Sequence, residues 1–309
     1  MSDLKRNGQA NEPTDGHPIG VIGLGLLGGA IAQRLLKIGH HVVGFDIDDK
    51  RRTLMAAEGV TATARAIDVV EVCDQIILSL PTTDVVAAVI DEVSPVLRGG
   101  QYLLDTTTGE PDAIAALADR LASQRIHYLD ATVGGSSSQA QSGDIIMLVG
   151  GQDSAFAACR PLLVQLARRV YHAGPPGAGA KLKLVHNLIL GLNRAVLAEG
   201  LTFARSLGLN PESVLEVLRS SAAYSRVMDQ KGKRMVSNNF DPEARLSQHL
   251  KDVRLMLEAG AAAGARLPLC ETHRELLEAT EAAGWGTLDN SAIIRAFDNG
   301  THESDRATA

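Results

Sequence analysis

Three stretches of the chain combine residue types and spacing that can do chemistry. The first, Gly177-Ala-Gly179-Ala-Lys181-Leu-Lys183-Leu-Val-His186-Asn187, is a glycine-rich turn running into a long apolar segment. Residues four apart on a helix share a face, so Lys183 and Asn187 point together while Lys181 points elsewhere. A lysine and an amide stacked at the first turns of a helix form a candidate site. The same window also reads as an ordinary helix start with basic residues at its solvated end. The second stretch is Gly23-Leu24-Gly25-Leu26-Leu27-Gly28, with Asp46 18 residues past the third glycine. This is the chemistry of a dinucleotide cradle: Gly23 permits a tight turn, Gly25 lets backbone approach a pyrophosphate, and Gly28 lets helix and strand pack closely. Asp46 would accept hydrogen bonds from the ribose hydroxyls and repel a 2′-phosphate, which predicts NAD rather than NADP. A purely structural glycine turn is the competing reading. The third stretch, Gly134-Gly135-Ser136-Ser137-Ser138, offers backbone N–H groups and hydroxyls without side-chain bulk, a cradle for a small carboxylate or sulfonate. Its composition is equally that of a surface loop.

The elements that must position these residues follow from periodicity. Pro18–Ile22 is a short apolar run, the glycine fingerprint follows at once, Ala30 to Ile38 has helical spacing ended by Gly39, and His41 to Asp46 reads as a second strand. Further strands are predicted at Gln75–Leu80, Gln101–Asp105, His127–Asp130, Asp144–Val149 and Arg168–His172, separated by amphipathic segments such as Asp112–Ala122 and Asp153–Ala167. Alternation of this kind implies an α/β fold with a doubly wound, mostly parallel sheet, and ligands at the carboxyl ends of its strands. Three loops leave those ends and are expected to line the cofactor cleft: one with Leu80 and Pro81, one running from Asp105 through Thr108, and one running from Asp130 to Ser138.

Beyond Ala178 the strand signal disappears. A proline-free helix to about Leu207 carries Leu182, Val185, Ile189, Leu192, Val196 and Phe203 on one stripe with Leu184, Leu188 and Ala195 beside it. It should be about 45 Å long, buried nearly all round, and a spine between domains. Helices over Pro211–Ser220, Tyr224–Val236, Leu246–Ala263, Pro268–Ala283 and Asp289–Phe297 complete an all-helical second domain. Gln248-His249-Leu-Lys251-Asp252 opens one of them. The expected organisation is a disordered tail over 1–17, a dinucleotide-binding domain over 18–176, a helical substrate and dimerisation domain over 177–298, and a second tail over 299–309.

Composition narrows the function classes. With 309 residues, 45% apolar and a net charge of -6, the chain is long enough for two cores and has no clustered basic face for nucleic acid. Aromatic content of 3% leaves few stacking platforms. No apolar run approaches a membrane span, and the polar start has no signal-peptide core, so a cytoplasmic protein is expected. Cys73, Cys159 and Cys270 are far apart and in no metal-ligand spacing, so they read as small apolar residues and no metal site is expected. The adjacent His40 and His41 read as surface residues, since strand neighbours face opposite ways.

Taken in order, the fingerprint, Leu80-Pro81, Asp105-Thr-Thr-Thr108, Asp130-Ala-Thr-Val-Gly-Gly, the Gly-x-Gly-x-x-x-Lys-x-x-x-Asn of Gly177 to Asn187, and Lys251-Asp252 form a pattern that resembles the β-hydroxyacid dehydrogenase family. That family includes 3-hydroxyisobutyrate dehydrogenases and tartronate semialdehyde reductases, and the likeness runs from about Ile19 to Phe297. The resemblance implies that Lys183 exchanges the proton with the substrate oxygen and that Asn187 helps hold the substrate. It implies that Thr108 and Lys251 approach the nicotinamide end of the cofactor and that the loop with Gly134, Gly135 and Ser136 binds the acid group. A lysine suits such chemistry because burial and neighbours lower its pKa from about 10.4. Two departures stand out: the family usually has serine followed by two glycines where this chain has Gly134-Gly135-Ser136, and often Asn-Asn where it has His186-Asn187. The shifted serine would suit an acid group of different shape.

The expectation is therefore an NAD-dependent oxidoreductase acting on 3-hydroxyisobutyrate, tartronate semialdehyde or a similar small acid, assembled as a homodimer or homotetramer. The alternatives are a sulfolactaldehyde or threonate-type sugar-acid dehydrogenase, an imine reductase on the same scaffold, and a non-catalytic dinucleotide-binding or chromatin-reader protein. The decarboxylating 6-phosphogluconate enzymes are related, but their large helical domain exceeds the length present here.

Overall fold

Nine strands, most of them short β-branched and apolar runs, pair into one sheet in a computed structural model that describes residues 2–5 and 16–297. In chain order they are β1 (Ser2–Lys5), β2 (Ile19–Ile22), β3 (Val42–Phe45), β4 (Thr61–Ala62), β5 (Gln75–Leu78), β6 (Tyr102–Asp105), β7 (His127–Gly134), β8 (Ile146–Gly150) and β9 (Arg169–Gly174). The sheet order is β1-β9-β8-β7-β6-β5-β2-β3-β4. All neighbours are parallel except β7 with β8 and β1 with β9. The winding direction reverses between β2 and β5, which makes the carboxyl ends of those two strands the crevice of the sheet.

Helices cover both faces, as buried parallel strands require. They are α1 (Leu26–Lys37), α2 (Asp49–Ala57), α3 (Ala66–Val72), α4 (Thr83–Val93), α5 (Pro111–Ala122), α6 (Ser137–Ser142) and α7 (Asp153–Leu166). One core gathers Ile31, Leu35, Leu129, Val149, Leu163 and Val170, and the opposite core gathers Val69, Ile76, Ile90, Leu103, Ile114 and Leu121. Then comes α8 (Ala178–Ser206), followed by α9 (Pro211–Arg219), α10 (Lys233–Ser237), α11 (Leu246–Ala262), α12 (Pro268–Thr280) and a final 3-10 turn over Asn290–Phe297. The second core consists of residues such as Leu201, Leu215, Met235, Leu250, Val253, Leu277 and Ile293. It is stitched by Asp289, whose carboxylate accepts both bonds of Lys231 Nζ at 2.9 Å and the Ser291 hydroxyl at 2.7 Å.

Several expectations are corrected. Within the segment expected to be a disordered tail, Ser2–Lys5 adds antiparallel to the edge of β9, a pairing carried by backbone groups and so invisible to an apolar pattern. Residues 6–15 and the tail after 297 lie outside the described residues. Strand β7 runs four residues beyond its expected end, to Gly134, because β8 pairs antiparallel along Asp130 to Gly134. His40 is buried and lies 2.7 Å from Gln165 Oε1, whereas His41 is exposed as expected. The helix α8 is not buried all round: Val185, Ile189, Val196 and Phe203 are between 55 and 67% exposed. Its buried side is instead Leu184, Ala195, Leu197, Ala198, Leu201 and Ala204. The two compact units are Met1–Leu184 and Val185–Ala309, a division inside α8 rather than before it. The physical reason lies in what grips the first turns of that helix.

Candidate active site

The dinucleotide loop is built by steric need. Gly23 has φ +93°, a left-handed conformation costly for a side chain, and a Cβ on Gly28 would sit 1.9 Å from the Gly23 carbonyl oxygen. Gly25 differs: apart from its chain neighbours and its own helix backbone, nothing in the described residues lies within 4 Å of where its Cβ would be. It stands at the N-cap of α1 with no side chain capping it and no acid in the first turn, so the positive end of the helix dipole faces that open ground. These residues fit the pyrophosphate of a dinucleotide. Asp46 closes the far side. Its two oxygens accept the Leu24 N–H at 2.7 Å and the Asp48 N–H at 2.9 Å, which fixes the carboxylate beside the loop. Each oxygen keeps a lone pair for a ribose hydroxyl.

The loops after β5 and β6 join this edge. A Cβ on Gly23 would meet the Ser79 carbonyl oxygen at 2.3 Å, and the Leu80 N–H donates to Thr107 Oγ1 at 3.1 Å. Thr106 Oγ1 donates to the Leu78 carbonyl at 2.8 Å, which ties the two strand ends together. Pro81 is exposed and Thr108 half-buried on this edge.

On the other side of β6, β7 grips the start of α8. Asp130 is fully buried and accepts the N–H groups of Gly177 at 2.9 Å and Ala180 at 2.8 Å, one on each oxygen. Burial pushes its carboxyl up to about 6, against the pull of those two N–H groups and with the charge of Asp105 adding to the rise. Thr132 Oγ1 donates to the Leu148 carbonyl at 3.2 Å and lies 3.4 Å from the Gly179 carbonyl. Lys183, only 8% exposed, donates from Nζ to the Val133 carbonyl at 2.6 Å. The lysine nitrogen is thus held at the residue before Gly134. One strand therefore both anchors the helix and fixes the lysine.

Downstream of Val133, Gly134 ends β7 and Gly135 packs where a Cβ would meet Ile145 at 2.7 Å. Ser136 caps α6: its hydroxyl accepts the Gln139 N–H at 3.3 Å, its own N–H donates to Gln139 Oε1 at 3.0 Å, and its oxygen lies 2.9 Å from Ser138 Oγ. In the second unit, Asn187 is buried and its Nδ2 donates to Asp252 Oδ2 at 2.9 Å. Lys251 Nζ lies 3.2 Å from the other oxygen of Asp252.

The expected residues therefore fall into three groups: the fingerprint, Asp46, Leu80, Pro81 and Thr108 along one edge of the sheet; Lys183 with Gly134, Gly135 and Ser136 beside the end of β7; and Asn187 with Lys251 joined through Asp252. Reading the sequence missed the roles of Asp130 and Asp252. Their partners lie 47, 50 and 65 residues away, and both acids were visible only as letters of motifs. The three thiols take no part. All are buried and free, and burial pushes Cys73 and Cys159 up to about 12.

Two family models cover most of the chain and meet just before α8. Residues 18–174 match the family described as the NAD binding domain of 6-phosphogluconate dehydrogenase. Residues 177–297 match the one described as NAD-binding of NADP-dependent 3-hydroxyisobutyrate dehydrogenase. The chain is 32% identical over 287 residues to 2-(hydroxymethyl)glutarate dehydrogenase of Eubacterium barkeri, covering 92% of this chain and 95% of that protein. It is 29% identical over 283 residues to 2-hydroxy-3-oxopropionate reductase of Escherichia coli (strain K12), covering 91% and 97%. A solved structure of 3-hydroxyisobutyrate dehydrogenase from Salmonella typhimurium superposes with a TM-score of 0.84 at 26% identity, covering 91% of this chain and all of that one.

Proposed function

The chain belongs to the β-hydroxyacid dehydrogenase family, and from that premise we propose that it moves a hydride between NAD and a small β-hydroxy acid or its semialdehyde, with Lys183 exchanging the proton. The names of the three relatives all specify a hydroxy or oxo acid, which supports the substrate class. The observation that carries the reading is the buried Lys183 side chain, pinned by the Val133 carbonyl on a helix start that Asp130 anchors.

When bound, the dinucleotide accepts or supplies the hydride at nicotinamide C4. In oxidation the neutral amine of Lys183 would take the hydroxyl proton as the carbonyl forms, and in reduction its ammonium would give a proton to the carbonyl oxygen. Asn187, one turn further along α8, holds the substrate. Backbone groups around Gly134, Gly135 and Ser136 receive its acid group, and Thr108 and Lys251 serve the nicotinamide end. Lys183→Ala is expected to lower kcat/KM by about a hundred- to ten-thousand-fold, with NADH affinity unchanged. The assay is a panel of 3- and 4-carbon hydroxy acids followed by NADH formation, and near-normal turnover of the variant on every accepted acid would overturn the assignment.

The preference for NAD rests on Asp46, whose fixed carboxylate favours ribose hydroxyls over a phosphate. NAD should exceed NADP in kcat/KM by at least about tenfold, or about 1.4 kcal/mol, and Asp46→Ser should narrow the gap. A higher kcat/KM with NADP in the wild type would remove this role. The exposed apolar stripe of α8 supports a homodimer or larger assembly in which a second copy covers it. The three free, buried thiols suit a reducing cytoplasm.

A further inference from the structure

His186 has no counterpart in the chemistry assigned so far, yet it sits in a chain of hydrogen bonds whose direction is fixed by elementary valence. Asp252 is a carboxylate and can only accept, so the Asn187 amide must face it through nitrogen, as it does at 2.9 Å. That turns Asn187 Oδ1 the other way, to 3.0 Å from His186 Nδ1. An amide oxygen has no proton to give, so Nδ1 of His186 carries the hydrogen, which sets the imidazole tautomer. Lys251 Nζ forms an ion pair with Asp252 Oδ1 at 3.2 Å at the far end. The hydrogen bonds from His186 through Asn187 to Asp252 therefore all run in one direction. Asn187 and Asp252 are each only 6% exposed, so the amide cannot turn over without setting oxygen against carboxylate in a buried place.

We propose that His186 is a positioning residue for the reaction: its Nδ1–H clamps the oxygen of the Asn187 amide while Asp252 clamps the nitrogen, leaving the second Nδ2 proton and the second Oδ1 lone pair in one fixed direction for the substrate. This rests on the reading of Asn187 as the group that holds substrate. A clamp from both ends removes the rotation about the Asn187 side chain that a single contact permits, and a pre-set donor loses less freedom when substrate arrives. His186 acts only through Asn187, so its contribution must vanish when the amide is gone.

The test is a double-mutant cycle on kcat/KM with the best hydroxy acid of the panel, using the full chain and saturating NAD. His186→Leu should lose about three- to tenfold, the effect of one neutral hydrogen bond, with NADH affinity unchanged. His186→Asn, whose amide can donate to the same oxygen, should restore most of the loss. His186→Phe, which keeps a ring but no donor, should behave as His186→Leu and serves if the leucine variant misfolds. In an Asn187→Ala background, His186→Leu should have no further effect. Full additivity of the two changes, or wild-type kcat/KM in both His186→Leu and His186→Phe, overturns the positioning role. Wild-type kcat/KM in Asn187→Ala alone overturns the reading of Asn187 instead, so the two failures are told apart.

Discussion

Asp130 holds two of the backbone N–H groups at the start of α8 while sitting in a place that penalises its charge. Its carboxyl titrates near 6, above the value of about 3.9 for an unfolded chain. A raised carboxyl favours the folded state only while protonated, so its contribution is full below about pH 4 and is lost as the pH rises through 6. The stability of the wild type relative to Asp130→Asn, measured by urea unfolding, should therefore be greatest at about pH 4 and below and decline to a plateau above about pH 7. A difference that is flat across this window would mean the carboxyl titrates normally. At pH 7.5 the same variant, with an amide nitrogen opposite a donor, should lower kcat/KM while leaving NADH affinity intact. Such residue roles were only partly legible beforehand. The tight turn through Gly23 and Gly28 and the place of Asp46 beside it were readable because they depend on local spacing along one βαβ unit. Asp130 and Asp252 were not, because a hydrogen bond spanning 47 to 65 residues leaves no periodic trace.

At the level of elements, α8 is the member whose sequence signal was strongest and most misleading. Its length and lack of proline predicted the helix well, and Ala178–Ser206 matches the expected span. The apolar stripe was expected to be buried, yet its exposed members share the face of Val196 while small residues such as Ala195, Ala198 and Ala204 occupy the packed side. Periodicity locates an apolar face but not what covers it. The entry to α8 is equally specific. A Cβ on Gly179 would lie 2.6 Å from the carbonyl oxygens of Asp130 and Leu148 and 2.7 Å from the Gly150 nitrogen, all of them backbone atoms that cannot give way cheaply. Gly179→Ala is expected to cost about 1–3 kcal/mol in stability and to depress turnover by shifting the helix that carries Lys183. An alanine variant with unchanged melting temperature and kcat would show that β7 and α8 tolerate separation.

For the whole molecule, Val185, Ile189, Val196 and Phe203 line one face of α8 as an exposed apolar stripe, the kind of surface that marks interaction sites. Light scattering on the purified wild type is expected to give a dimer or tetramer, and Val196→Glu to shift the mass toward monomer. Retention of the wild-type mass in that variant would exclude the stripe as the interface. Across the described residues no helix is long and apolar enough to cross a membrane. The sequence alone determined the doubly wound sheet, the glycine turn between β2 and α1, the all-helical second part and the shared face of Lys183 and Asn187, because each is encoded in local period or short spacing. Only the tertiary structure decided that the opening turns of α8 pack with the sheet unit, that one strand supplies both the anchor of the helix and the acceptor for its lysine, and that Asp252 and His186 grasp opposite ends of one amide. Those contacts depend on which backbone and side-chain groups meet after distant segments have folded together, and hydrogen-bond partners are chosen by that proximity rather than by order along the chain.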